Sequence, residues 1–164
     1  MRARLLTLFS LLLCVVSAQA AQRVDLDYQV RLMPQDDQAE VRLVLERGEV
    51  IRSLDLNLGD EGRYSDFEAD GEWIQEQAGR GVWKPANGKA QLRYRVRLSH
   101  QRENGRFDAR MTDSWALFRG DDLVPSAHLD EVDGTELVAR LQFELPEGWK
   151  SVETGWKRIG KNRF

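Results

Sequence analysis

The segment Ala90-Gln-Leu-Arg-Tyr-Arg-Val-Arg-Leu98 decides the fold class, because apolar and polar residues alternate along it without interruption. A period of two residues indicates a β-strand with one buried and one solvated face. Arg93, Arg95 and Arg97 form a basic stripe on the solvated face. We predict that they pair with acidic residues across the ladder of an edge or outer strand; contact with an acidic partner is the alternative.

The same alternation extends in both directions from this segment. Residues 24–32 and 39–46 alternate on either side of a turn at Pro34–Asp37, which predicts an antiparallel hairpin. Residues 54–58 and 137–145 predict two more core-facing strands. Sustained 3.6-residue periodicity is missing, and the only helical candidate is one turn near Asp121–Ala127. Such a pattern is typical of a sandwich or an open barrel, and we predict an all-β, antiparallel β-sandwich with at most a short helical turn.

The first twenty residues have the pattern of a secretory signal peptide. Arg2 and Arg4 precede an apolar run of about thirteen residues, and Ala18-Gln-Ala20 offers small residues at the cleavage positions. A membrane span needs about 20 apolar residues, so we favour cleavage over an N-terminal anchor. The predicted organisation is a signal peptide at 1–20, a β-sandwich at 21–156 and a basic polar tail at 157–164 that suggests the cut end of a longer chain. The predicted location is periplasmic or secreted, with no integral span after cleavage.

Composition excludes several classes of chemistry and partner. The single cysteine, Cys14, lies in the leader, so the mature chain would lack disulfides, thiol nucleophiles and thiolate metal sites. The net charge is −3 and the charged residues are scattered, which argues against a nucleic-acid or anionic-membrane partner.

The usual catalytic patterns are also missing. The two histidines, His100 and His128, form no His-Glu-x-x-His motif. The acidic residues in an expected loop at His128–Gly134 lack the spacing of a calcium-binding EF-hand. Ser126 is outside any Gly-x-Ser-x-Gly element. We therefore predict no catalytic residue, no metal site and no cofactor in this chain.

The best candidate for a site is the segment from Trp115 to Pro125, which mixes aromatic, apolar and acidic residues. We select Trp115, Arg119, Asp121 and Asp122 as candidate binding residues. The segment is predicted to be a strand that ends in a capped turn. Its expected role is to form a docking surface for a following domain.

Two further expectations concern the packing of this segment and of the tryptophans. Trp115, Leu117 and Leu123 are expected to pack inward, while Arg119 and Asp121 tie the exit loop. The five tryptophans of the chain, if exposed, would instead suit stacking on a peptide or glycan.

Five segments stand out by their order and spacing: Tyr28–Leu32, Gly62-Arg-Tyr64-Ser-Asp-Phe67, Trp83-Lys-Pro85, Leu92-Arg-Tyr94-Arg-Val96 and Leu117–Val124. Together they resemble the N-terminal β domain of the glycyl-aminopeptidase-like zinc metallopeptidases, a family of PDZ-carrying peptidases. The family usually has Pro-Gly-Ser-Tyr where this chain has Asp60-Glu-Gly62-Arg-Tyr64-Ser. The resemblance implies a non-catalytic sandwich that packs on a peptidase domain and shapes its cleft, with the zinc ligands outside this chain.

Two other functions remain open on sequence grounds. One is a stand-alone envelope module that binds a peptide or glycan through its tryptophans. The other is a small hydrolase that uses the acidic loop, the weakest of the three hypotheses.

Overall fold

A computed structural model describes residues 22–59, 62–77 and 79–164, so the predicted signal peptide at 1–20 lies outside the described residues. The strands are β1 (Gln22–Met33), β2 (Gln38–Leu45), β3 (Ile51–Asn57), β4 (Tyr64–Ala69), β5 (Gly71–Gln77), β6 (Arg80–Pro85), β7 (Ala90–Arg97), β8 (His100–Gln101), β9 (Phe107–Met111), β10 (Ala116–Leu117), β11 (Ala127–Glu131) and β12 (Thr135–Glu144). The single α-helix of the described ranges, α1, is one turn at Gly120–Leu123, and two 3-10 turns lie at Pro34–Asp36 and Gly48–Val50. None of these described helices is long and apolar enough to cross a bilayer.

The larger sheet has five strands in the order β12-β1-β2-β7-β4. The predicted hairpin of β1 and β2 is confirmed, with Leu26 opposite Leu45 and Met33 opposite Gln38. Strand β7 lies between β2 and β4, so the prediction that it is an edge or outer strand was wrong. Strand β12 runs parallel to β1, whereas the other pairs are antiparallel. Alternation predicts which residues face inward but not strand direction, so this parallel pair had no signal in the sequence.

The second sheet has four strands in the order β11-β3-β6-β5, and β8, β9 and β10 form a small third sheet. The predicted acidic loop at His128–Gly134 was wrong over its first half. Residues 127–131 form β11, which pairs with β3 and places His128 opposite Asp55. The sequence Ala-His-Leu-Asp-Glu carries one central apolar residue, which is too little alternation to predict a strand.

One hydrophobic core joins the two main sheets, which confirms the all-β sandwich. Its buried members include Val30, Val41, Leu45, Leu54, Leu56, Trp83, Leu92 and Val96. At one end of the sandwich, Phe67 of β4 stacks on Trp73 of β5, with ring centroids 4.3 Å apart. Burial of these inward faces is the main source of stability, at about 25 cal/mol per Å² of apolar surface.

The basic stripe of β7 pairs with carboxylates, as predicted. Arg93 bonds Glu68 on β4 and Glu40 on β2, and Arg95 lies 3.5 Å from Asp66. The Glu40 side chain also accepts from Arg31 on β1 at 3.3 Å. Cross-strand ion pairs within the sheet therefore compensate the charges of two of the three arginines, Arg93 and Arg95.

The basic tail lies against the sheet. Leu141 and Phe164 exchange two backbone hydrogen bonds of 3.0 and 2.8 Å, and the Phe164 side chain is buried. Arg163 forms an ion pair with Asp27 at 3.2 Å. These contacts cover the outer edge of β12 at residues 141–143. The basic, polar sequence of the tail did not predict that it packs on the sheet.

Alkaline pH is expected to destabilise the fold, because burial raises the pKa of Tyr94, and also those of Tyr28 and Tyr64. A phenol with a raised folded-state pKa contributes stability below its unfolded pKa of about 10, and that stability is lost as the pH rises beyond it. The thermal midpoint should therefore fall between pH 9.5 and about 11.5. Circular dichroism melts of wild type and Tyr94→Phe test this, and the variant should show the shallower fall. Identical pH profiles would contradict the assignment.

Candidate functional site

The segment Trp115–Pro125 consists of β10, a connecting turn and α1. The Asp122 carboxylate accepts the backbone N–H of Arg119 at 2.8 Å, and the Asp122 N–H donates to the Arg119 carbonyl at 3.1 Å. A carboxylate in the first turn of a helix satisfies free N–H groups and is favoured by the helix dipole. The predicted capped turn is therefore present.

Asp122 also anchors this turn to the body of the domain. Its side chain is 4% exposed and accepts a hydrogen bond from Arg63 Nη2 at 2.8 Å. Next to it, Leu123 is buried, and its carbonyl accepts the Tyr94 hydroxyl at 3.0 Å. Because the Asp122 carboxylate is buried and already accepts hydrogen bonds from Arg63 and Arg119, a direct contact with a ligand is disfavoured. The selection of Asp122 as a binding residue stays a prediction.

Arg119 and Asp121 remain at the surface. Their side chains are 71% and 61% exposed and form an ion pair at 3.0 Å. This pair agrees with the expectation that the two residues tie the exit of the strand. An exposed ion pair of this kind contributes between about 0 and 1 kcal/mol to stability. Either side chain can therefore leave the pair and bind a partner at little cost.

The inward packing predicted for Trp115 and Leu117 was wrong. Trp115 is 47% exposed and Leu117 is 71% exposed. Their neighbours Ala116 and Phe118 pack on the core instead, and the Phe118 ring lies 6.2 Å from the Phe143 ring. A shift of one residue in a strand exchanges its two faces, and a strand as short as β10 gives too few residues to fix that phase from sequence.

An apolar groove of about 350 Å³ lies beside α1. One wall comes from β12, the second from residues 116–120 and the third from the C-terminal segment 149–156. Its apolar lining is Leu32, Ala116, Leu117, Phe118, Leu123, Leu141, Phe143, Leu145, Trp149, Val152 and Trp156. The groove therefore places the candidate segment, including Arg119, next to residues that are about thirty positions further along the chain.

Trp156 is a functional candidate that the sequence indicates only as one of five tryptophans, outside the four residues selected for binding. It is 58% exposed, and its ring lies 4.0 Å from the position that a Cβ on Gly120 would occupy. Trp149 is held by a hydrogen bond from Nε1 to the Asp113 carbonyl at 2.9 Å. The segment after Pro146 has no alternation, so only the spacing of Trp149, Val152 and Trp156 hinted at a shared face.

The histidines and acidic residues do not assemble a metal site in the described part of the chain. Within those residues, no group of three or more His, Cys, Asp or Glu side chains could hold a metal ion. His128 is exposed. Its cross-strand neighbour Asp55 accepts two hydrogen bonds from Arg80, at 2.9 and 2.6 Å, and these bonds lower the pKa of Asp55.

Comparisons with known proteins give a likeness of fold. No family model matches the chain, and no curated protein matches it. Among solved structures, an aminopeptidase N family protein from Idiomarina loihiensis matches 85% of this chain at 13% identity, with a TM-score of 0.55. The chain is similar in fold to one part of that protein. It spans 27% of the length of that structure.

A second match is weaker. An M1 zinc metallopeptidase mutant from Deinococcus radiodurans, solved with a Tyr-Ser-Ala substrate, matches 77% of this chain at 17% identity. The chain covers 32% of that structure, and the TM-score of 0.33 is too low to carry an argument. At 13% identity, the likeness to the Idiomarina loihiensis protein shows a shared fold alone, and its printed family is aminopeptidase N, not the PDZ-carrying family.

Proposed function

We propose that this chain is a non-catalytic β domain of a zinc metallopeptidase, which packs on a peptidase domain and helps to shape its substrate cleft. The observation that carries the proposal is the likeness to the aminopeptidase N family protein, over 85% of this chain but 27% of that one. A domain that matches about a quarter of a larger protein is expected to act beside other domains. The absence of a His-Glu-x-x-His motif from the sequence agrees with a non-catalytic role.

The exposed apolar surface beside α1 supports docking. Trp115, Leu117 and Trp156 are all close to half exposed or more, and the last two line the apolar groove. Contiguous exposed apolar patches on soluble domains commonly mark interaction sites. The docking face of the domain is therefore assigned to this groove and its rim.

Two finer parts of the proposal rest on the sequence. The leader pattern at residues 1–20 supports export to the periplasm or the exterior. The segments that resemble the PDZ-carrying glycyl-aminopeptidase-like family support that subfamily for the parent enzyme. The subfamily is the finer claim, and the proposal of a metallopeptidase domain does not depend on it.

A stand-alone binding module is the second candidate function. It is favoured by the exposure of Trp115 and Trp156, because exposed flat aromatic rings suit stacking on a peptide or glycan. A glycan array on the purified chain separates the two functions. Glycan binding that is lost in Trp115→Ala would favour the module, whereas the domain proposal expects no such binding.

The gene itself tests the proposal. The nucleotide sequence that follows codon 164, or an adjacent gene, should encode a helix with His-Glu-x-x-His, since two histidines at that spacing bind zinc on one helix face. We expect to find this motif. If neither location encodes it, the proposal of a metallopeptidase domain loses its basis.

A further inference from the structure

Among the edge strands of the two main sheets, β12 has the most regular pairing. The larger sheet ends at β12 and β4, and the smaller one ends at β11 and β5. The pairing of β4, of β5 and of β11 with its neighbour contains a register shift in each case. By contrast, β12 pairs with β1 over ten residues without a shift. Because a bulge blunts an edge against further strands, β12 is the edge best suited to accept one.

The C-terminal segment already occupies part of this edge. Leu141 exchanges its two backbone hydrogen bonds with Phe164, and the Phe143 N–H donates to the Asn162 carbonyl at 2.9 Å. The bridge between Gln142 and Arg163 is antiparallel, and the Phe164 side chain is buried. The outer edge of β12 therefore accepts an antiparallel extended segment that carries an apolar side chain towards the core.

The remainder of the edge, residues 135–139, has free backbone groups. A residue in a strand directs its N–H and its C=O to the same side, and the side alternates along the strand. Leu141 and Phe143 direct theirs outward, so Leu137 and Ala139 do the same. Within the described part of the chain, no backbone partner lies on that side of Leu137 or Ala139. Two donors and two acceptors are therefore available to an added strand.

The apolar flank of the core is also incompletely covered beside this free edge. On the central strands β2 and β7, the inward side chains of Val41 and Leu92 are at most 1% exposed. On β12, Leu137 is half-buried and Ala139 is exposed, although both share a face with the buried Phe143. An added strand with apolar side chains on this face would bury the exposed flank.

We infer that residues 135–139 of β12 bind an extended segment of another polypeptide by strand addition, antiparallel to β12 and with apolar side chains at alternate positions. In this mode of recognition, backbone hydrogen bonds supply affinity and alternate side chains supply specificity. These residues do not line the apolar groove beside α1. The inference therefore goes beyond the proposed function and does not rest on it.

A second copy of this chain fits the free edge less well. Antiparallel pairing of two β12 strands would be centred near Leu137, because residues 141–143 are already covered. The turn that precedes β12 in one copy would then lie opposite Leu141 of the other copy, where Phe164 is bound. A separate segment has no such turn, so we assign the occupant to a different polypeptide.

Backbone methylation of a peptide tests the inference, with fluorescence anisotropy as the readout. The probe is labelled Ser-Val-Thr-Val-Thr-Val-Ser, and the full chain is titrated to about 1 mM. Methylation of the central valine nitrogen should weaken binding by at least about tenfold, because it removes a donor to β12 and introduces a clash. Methylation of the nitrogen of the following threonine is the matched control, because that N–H points away from β12. No binding of the unmodified probe, or equal effects of the two methylations, would overturn the inference.

A second probe tests the apolar flank. Replacement of the three valines of the peptide by serines keeps every backbone donor and acceptor but removes the side chains that face the core. We expect binding to weaken by at least about tenfold, because less apolar surface is buried. Equal binding of the two peptides would contradict the assignment of this face.

Proline at position 139 locates the binding on the edge. Ala139→Pro removes an N–H that points outward and leaves the hydrogen bonds to β1 in place, and proline is tolerated at such edge positions. The probe should bind at least about tenfold more weakly. Ala139→Val keeps the N–H and should bind the probe as the wild type does. Thermal melts check that both variants fold, and probe binding unchanged in folded Ala139→Pro would contradict the inference.

Amide hydrogen exchange in the wild-type chain gives the same test without a variant. The probe should slow exchange at Leu137 and Ala139 and leave Val138 and Arg140 unchanged, because those two amides already face β1. Protection elsewhere in the chain, without protection at Leu137 and Ala139, would overturn the inference.

Sedimentation velocity without the peptide distinguishes the occupants. We expect a monomer at about 100 μM. A dimer that Ala139→Pro abolishes would identify a second copy as the occupant and overturn the assignment to a different polypeptide. None of these measurements involves the apolar groove or the His-Glu-x-x-His motif, so the proposed function and this inference can fail independently.

Discussion

Replacing Asp122 by alanine is expected to lower the free energy of unfolding by about 3 kcal/mol, because removal of one partner from a buried ion pair leaves the other charge uncompensated. The Asp122 side chain is 4% exposed and that of Arg63 is 24% exposed, with 2.8 Å between Arg63 Nη2 and Asp122 Oδ1. The same carboxylate accepts the Arg119 N–H that begins α1. Asp122→Ala therefore removes both an ion pair and a helix-capping hydrogen bond, and both losses lower the stability.

Asp121→Ala is the matched control for this prediction. Asp121 is the adjacent residue and is also paired with an arginine, but its side chain is 61% exposed, so the expected loss is below about 1 kcal/mol. Urea denaturation of both variants, with Arg63→Ala and the double variant to complete a cycle, measures the difference. Equal losses for Asp121→Ala and Asp122→Ala would contradict the structural role of Asp122.

Trp83→Ala is expected to cost about 4 kcal/mol, in the range for truncation of a buried aromatic residue. Trp83 is fully buried on β6, between β3 and β5, and its Nε1 donates to the Asp70 carbonyl at 3.0 Å. Domains of this size have a total stability of about 5–15 kcal/mol. The variant should therefore retain about 1–11 kcal/mol, so it unfolds at a lower temperature and a lower urea concentration than the wild type.

Trp156→Ala provides the comparison within the same residue type. Its indole is 58% exposed, so its removal should change the free energy of unfolding by less than about 1 kcal/mol. Thermal and urea denaturation of the two variants under identical conditions checks the contrast. A loss for Trp156→Ala as large as that for Trp83→Ala would mean that Trp156 belongs to the core and is not available to a partner.

The sequence predicts much of the fold because half-buried strands alternate, and buried positions alternate with less buried ones in β3 and β7. Prediction from the sequence fails where a strand lacks alternation, or where alternation does not determine the feature in question. The direction of β12 depends on which strand it meets, and that contact is formed by residues more than 100 positions apart. Strand β11 carries little alternation because Leu129 is the one large apolar residue among its five.

The candidate site was only partly predictable. The mixture of residues in Trp115–Pro125 predicts a capped turn, and the structure has one beside the apolar groove. The predicted inward face was one residue out of phase, because the two residues of β10 do not determine which face meets the core. Trp156 joins this surface through a return of the C-terminal segment, and no local pattern encodes such a contact.

Binding of this chain to the polypeptide that carries the His-Glu-x-x-His segment is the most direct test of the proposed function. The two segments would be expressed separately, mixed and followed by sedimentation velocity. We expect a 1:1 complex that is lost in Leu117→Asp, because a carboxylate would enter an apolar contact. Val132→Asp changes an exposed apolar residue that does not line the groove and should leave the complex intact. No complex with the wild-type chain at about 1 mM, the order of the effective concentration between linked domains, or a complex that Leu117→Asp leaves unchanged, would contradict the account.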